Sequence, residues 1–182
     1  DLDASCADYS TLQTLIKDGK LNDEALIAQV NSALQDFCDS SKPSYYYQRG
    51  VGYYNMKKYQ KALDTYTIGL QKFPGDAMMQ SFKGNTHLIL NEYEKALEYY
   101  QSSLKNKESI KAEIIINPRF SGASSDKITS YYNGSLATIY LSIAECNINL
   151  GHFDEAFTEI NKGITLAPNI EGFNKEAYFN MR

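Results

Sequence analysis

Apolar positions recur along the chain at the three- and four-residue intervals of packed helices. In residues 1–42, Leu12, Leu15 and Ile16 mark one face of a first helix, and Asp18-Gly19-Lys20 breaks it. Asn22 is placed to cap a second helix, with Asp23 and Glu24 in its first turn and Leu26, Val30, Ala33, Leu34 and Phe37 along its face. Further on, Lys105–Ile116 turns from charged to apolar (Ala112, Ile114, Ile115, Ile116) and breaks at Asn117-Pro118. Residues 119–125 read as loop, and Ser125-Asp126-Lys127 opens another helix. The tail after Glu171 carries one amphipathic helix (Phe173, Ala177, Tyr178).

Between these flanks the pattern repeats. Gly50 and Gly84, Ala62 and Ala96, and Tyr66 and Tyr100 are each 34 residues apart. Ala144, Gly151, Phe153, Ala156, Ile160, Gly163 and Pro168 form a third copy with the internal spacings of the first. Antiparallel helices approach to about 8–10 Å only where facing positions lack bulk. Gly50, Gly84 and Ala144 supply that gap on helix A. Ala62, Ala96 and Ala156, with Gly69, Ser103 and Gly163, supply it on helix B. Tyr59, Tyr93 and Phe153 are expected to plug the turn, and Tyr66, Tyr100 and Ile160 to fill the space between the helices. This packing role accounts for most of an unusual 15 tyrosines beside no tryptophan.

These residues resemble the tetratricopeptide repeat, a 34-residue helix–turn–helix closed by a proline, met here by Pro74 and Pro168. The resemblance implies an all-α chain, a right-handed α-α superhelix. It has an N-terminal helical hairpin or cap over residues 1–42, two tandem repeats over 43–110, an insert over 111–136, a third repeat over 137–170 and a capping helix over 171–182. Ala96 and Ala156 lie 60 residues apart, so about 26 residues interrupt the period. Helix B of the second repeat and helix A of the third are expected to be overlong and to project as an antiparallel pair. A disordered insert is the alternative, disfavoured by the isoleucines.

Charge and chemistry narrow the function. The net charge of −4 and the single basic pair Lys57-Lys58 exclude a strong nucleic-acid footprint. No apolar run reaches the length of a membrane helix. Two histidines leave little material for a metal site, and no phosphate-loop, zinc or EF-hand spacing occurs. Cys146 and His152 fall on a helix and at the following turn, a poor geometry for a nucleophile pair. The reading is a non-catalytic protein without cofactors. Cys6 precedes the first helix and Cys38 ends the second, so an antiparallel hairpin brings them to similar heights. They are a disulfide candidate, with two free thiols as the alternative. A chain starting at Asp1 is expected of a removed leader or of a shortened chain. Together these favour a periplasmic or extracellular setting over a cytoplasmic one.

The resemblance further implies a concave face lined by A helices that accepts a protein or peptide. The matching positions are Tyr47, Val51, Tyr54 and Asn55, then Ser81, Asn85, Leu88 and Ile89, then Leu141, Glu145, Ile148 and Asn149. These residues have a second reading, as contacts to the chain's own hairpin or insert. The family's carboxylate clamp uses Lys, Asn and Arg. Tyr47 and Val51 replace the first two here, and Thr138 and Ser142 the later basic residues. The expected function is an adaptor or scaffold, in an exported bacterial assembly. A chaperone of secreted proteins and an accessory domain of a longer protein are the alternatives.

Overall fold

The computed structural model describes residues 2–117 and 120–167, without the side chains of 2–5, 32, 33 and 35–37. Among the described residues the secondary structure is all helix. The elements are α1 (Leu2–Lys17), α2 (Glu24–Phe37), α3 (Pro43–Asn55), α4 (Tyr59–Lys72), α5 (Ala77–Ile89), α6 (Tyr93–Lys105), α7 (Glu108–Ile116), α8 (Ser125–Asn149) and α9 (Phe153–Leu166). They fall into two compact units, residues 1–74 and 75–182. The tail helix expected over residues 171–182 lies outside the described residues.

The first unit holds α1–α4. Asp23, not Asn22, caps α2, its carboxylate accepting the Leu26 N–H at 2.9 Å. Val30 is fully buried, and the α1–α2 hairpin is closed by a Cys6–Cys38 disulfide with a Cα–Cα distance of 5.6 Å. Proline at the start of α3 suits a position whose N–H would have no helical partner. In the α3–α4 hairpin Ala62 and Tyr66 are fully buried. The Tyr66 ring lies where a Cβ on Gly50 would have to go. Lys72 Nζ donates to the Tyr46 hydroxyl at 2.5 Å, tying the end of α4 to the start of α3.

The second unit repeats this hairpin twice. In α5–α6, Ala96 and Tyr100 are fully buried and the Tyr100 ring would sit 2.9 Å from a Cβ on Gly84. The Ser103 hydroxyl donates to the Ala77 carbonyl at 2.7 Å. In α8–α9 the same places hold Ala144 and Ile160. The three pairs share one volume rule: glycine stands opposite tyrosine twice, and alanine stands opposite the smaller isoleucine. Each A–B turn also passes through the left-handed region at the equivalent residue, Lys57 (φ 58°), Asn91 (φ 58°) and Gly151 (φ 79°).

Besides the Asn22 cap, three expectations are corrected. Cys6 lies inside α1 and does not precede it, because the helix already begins at Leu2. Phe153 is 55% exposed and does not plug its turn as the half-buried Tyr59 and Tyr93 do. Helix B of the second repeat is not overlong, because α6 stops at Lys105 and a separate helix α7 follows. Asn106 is the reason. Its backbone N–H donates to Ser102 and Ser103 carbonyls, its carboxamide donates to the Ser102 carbonyl and to Gln80 Oε1 (both 3.1 Å), and its own carbonyl receives the Ser109 N–H. The 25-residue α8 is long as expected. Ser124 caps it by accepting the Lys127 N–H, and α7 packs against it. Ile110, and Ile114 and Phe120 of the insert, are buried in one core with Tyr100, Ile139, Ile143 and Cys146.

Candidate functional site

In the first unit, Tyr47, Val51 and Tyr54 recur at helical spacing on one face of α3, with Asn55 beside them at the helix end. Tyr47, Val51 and Tyr54 are half-buried and Asn55 is exposed. Tyr54 meets Tyr59 edge-on at 5.7 Å, and its phenol is held above its ordinary value by burial and then by Tyr59. Behind this face lies the Tyr66 hydroxyl, fully buried and without a hydrogen-bond partner among the described residues. Burial, then the neighbouring Tyr47 and Tyr54 hydroxyls, raises its pKa strongly.

In the second unit, Asn85 explains that orphan. The Tyr100 hydroxyl donates to Asn85 Oδ1 at 2.6 Å. Asn85 is the counterpart of Val51, which offers no acceptor to Tyr66. In the third repeat Glu145 faces outward and Ile160 has no hydroxyl to satisfy. Asn85 is therefore partly committed to internal structure.

The other sequence-derived positions divide. Ser81 is buried, while Glu145 and Asn149 are exposed one turn apart on α8, with Asn149 Nδ2 donating to the Glu145 carbonyl at 2.8 Å. Ile89 is 44% exposed. Leu88 packs against the core cluster of the unit, and Leu141 and Ile148 pack against Ala144, Ala156 and Ile160. These three residues serve the hairpins themselves, because an apolar stripe on a helix is wide enough to serve a core on one side and a surface on the other. None of these groove positions lines the open hollow of about 620 Å³ between Tyr140 of α8 and the Phe157–Leu166 face of α9.

Sequence reasoning missed two polar arrangements. Lys83 lies 4.5 Å over the Tyr99 ring, and the His87 ring stacks on the same tyrosine at 5.3 Å, nearly parallel. His87 Nδ1 also pairs with Glu92 at 2.6 Å, which lowers the glutamate's pKa. The second is a carboxyl pair. Asp76 caps α5, accepting the Met79 N–H at 2.7 Å, and hydrogen-bonds Glu113 of α7. Burial, then the charge of Asp76, pushes Glu113 up to about 8. Burial also raises Asp76, against the pull of the Met79 N–H. No short sequence motif announces either arrangement, since the partners come from different helices.

Cys146 is buried, and burial followed by the Glu145 charge pushes its thiol up to about 12. Such a thiol is protonated and inert at neutral pH. Among the described residues no group of three His, Cys, Asp or Glu could hold a metal ion, and no helix is long and apolar enough to cross a membrane.

Comparison with known proteins agrees with the geometry. The profile of the tetratricopeptide repeat matches residues 79–109 and 137–170. The matched residues fall on α5–α6 and α8–α9, which are tetratricopeptide-repeat hairpins. The Hsp70-Hsp90 organising protein of Plasmodium falciparum (isolate 3D7) is 26% identical over 138 residues, which is 72% of this chain and 22% of that protein. The chain thus spans less than a quarter of that relative. The first tetratricopeptide domain of Spaghetti (RPAP3), solved with the HSP90 peptide SRMEEVD, aligns with a TM-score of 0.56 and 20% identity, over 79% of this chain and 90% of that one. A MamA RS-1 double mutant aligns with a TM-score of 0.52 and 16% identity, over 90% and 75%. At these identities the two structures establish the fold.

Proposed function

We propose that this protein is a non-catalytic adaptor whose A-helix faces bind a peptide or partner helix. The observation that carries the reading is the α3 face, where Tyr47, Val51 and Tyr54 are half-buried beside an exposed Asn55. Aromatic rings with polar tips give large contact area at low entropic cost and remain able to hydrogen-bond. The Spaghetti domain, alike in fold, was solved with a bound peptide. The occupant is not a clamped C-terminal carboxylate, since Tyr47, Val51, Thr138 and Ser142 stand where the clamp has Lys, Asn and basic residues.

The test is a peptide array of internal and C-terminal sequences, followed by titration calorimetry on the best binders. The expected result is binding lost in Tyr47→Ala/Asn55→Ala and no measurable binding of SRMEEVD. Equal affinities for wild type and variant would remove the α3 face from the account. Tight SRMEEVD binding would favour a chaperone-tail adaptor, the reading that the Plasmodium relative supports.

We also place the protein in an oxidising compartment, on the support of the Cys6–Cys38 disulfide, and an exported bacterial assembly fits that setting. Thiol titration of protein denatured directly from cells checks the placement. One reactive thiol is expected, and three would return the protein to the cytoplasm.

A further inference from the structure

The first two repeat hairpins each set a tyrosine ring against a glycine, and they treat its hydroxyl differently. In α5–α6 the Tyr100 ring lies against Gly84, and its hydroxyl donates to the carboxamide oxygen of Asn85 at 2.6 Å. In α3–α4 the Tyr66 ring lies against Gly50, Cζ included, so its hydroxyl also reaches α3 beside residue 51. There the chain has Val51 in place of the asparagine. The Tyr66 hydroxyl is fully buried and has no hydrogen-bond partner among the described residues. The large majority of buried side-chain polar atoms have a partner, so this orphan calls for a group that the folded chain does not itself supply. We propose that the Tyr66 hydroxyl is the donor of a carboxamide subsite on the α3 face, where an Asn or Gln side chain of the bound segment supplies the acceptor that Asn85 supplies within the next repeat.

The subsite rests on the peptide-binding reading of that face and names what the face selects. The Tyr100–Asn85 pair shows that a planar amide oxygen fits a tyrosine hydroxyl in this setting. A carboxylate fits less well. None of Tyr47, Val51, Tyr54 and Tyr66 carries a positive charge, and a carboxylate taken among them would lose its water without gaining a countercharge. An apolar side chain would leave the hydroxyl orphaned. Tyr47 and Tyr54 stand one turn to either side of Val51, half-buried at the surface of α3. After burial itself, they are the groups that raise the Tyr66 pKa. Entry requires one of these two phenols to turn outward, and side chains at a helix surface change rotamer within nanoseconds.

A positional-scanning library of N-acetylated, C-amidated decapeptides, captured by the full chain, tests the subsite. We expect wild type to select Asn or Gln at one position. Calorimetry on the strongest such peptide, and on its analogue with leucine at that position, closes a double-mutant cycle with Tyr66→Phe. That variant keeps the ring against Gly50 and removes the donor. Either change alone should weaken binding about tenfold, and the two together no further. Val51→Asn should weaken the amide peptide to a similar degree, because the new carboxamide takes the hydroxyl from within, and should spare the leucine peptide. A wild type without the Asn or Gln preference, or a preference that persists in Tyr66→Phe, would overturn the subsite. If Tyr47→Ala/Asn55→Ala still abolishes capture in that case, the α3 face stands without it. Capture of no library peptide by wild type would remove the face and the subsite together.

Discussion

Val51→Asn should stabilise the first repeat, although it places a polar side chain where an apolar one stands. The Tyr66 hydroxyl is fully buried and unpartnered among the described residues, whereas its counterpart on Tyr100 donates to Asn85 at 2.6 Å. An orphaned buried hydroxyl costs about 1–3 kcal/mol. Val51 is half-buried, so its loss forfeits roughly half of the ~1.5 kcal/mol that full burial of a valine provides. The net expectation is a gain of about 1 kcal/mol, seen in urea denaturation followed by far-UV circular dichroism. The reverse change, Asn85→Val, should cost about 1–3 kcal/mol by removing the acceptor of the Tyr100 hydroxyl. Tyr66→Phe should be neutral or mildly stabilising and should abolish the benefit of Val51→Asn. A gain that persists in the Tyr66→Phe background would refute the reasoning, as would equal losses from Val51→Asn and Asn85→Val.

Three further outcomes follow from the same structure. Lys57 holds φ 58° where the equivalent third-repeat residue is Gly151. A left-handed non-glycine residue costs about 1–2 kcal/mol, offset in part by the entropy of glycine, so Lys57→Gly should raise the melting temperature by about 1–4 °C. Cys6→Ser/Cys38→Ser opens a loop of sequence separation 32. It should destabilise the first unit by about 3–4 kcal/mol in the chain-entropy model, and chemical denaturation with and without a dithiol reductant checks the value. Folding holds a proton on Glu113 up to about pH 8 that the unfolded chain releases near its ordinary value. Stability should therefore be complete below that ordinary value and fall with rising pH through the window, at up to about 1.4 kcal/mol per pH unit. Glu113→Gln should flatten the slope in denaturation curves collected across that range.

The repeat hairpins were legible because their packing is written at fixed spacing. Ala62, Ala96 and Ala156 stand at the matching position of each hairpin, and all three are buried. The Cys6–Cys38 bond was legible for a similar reason, since an antiparallel hairpin sets the height of its two ends. What lay hidden depends on contacts between distant positions. The break between α6 and α7 rests on Asn106 reaching Gln80 as well as its own helix. Asp76 and Glu113 lie on separate helices, and neither residue carries a local signal of the other. Leu88 was placed on the groove face by the resemblance alone, and which side of the helix it serves is decided by its partly buried packing against the core cluster of the second unit.

The volume rule between helix A and helix B underlies the whole account, and one thermodynamic cycle tests it. A Cβ on Gly50 would overlap the ring of Tyr66, which is fully buried and has nowhere to move. Glycine to alanine inside a helix ordinarily gains about 1 kcal/mol, but here Gly50→Ala should cost about 1–3 kcal/mol by overpacking. In a Tyr66→Ile background, which copies the Ala144–Ile160 pairing of the third repeat, the same substitution should become neutral or stabilising. A stabilising Gly50→Ala in the wild-type chain, or an unchanged penalty beside isoleucine, would contradict the claim that these paired volumes build the repeat.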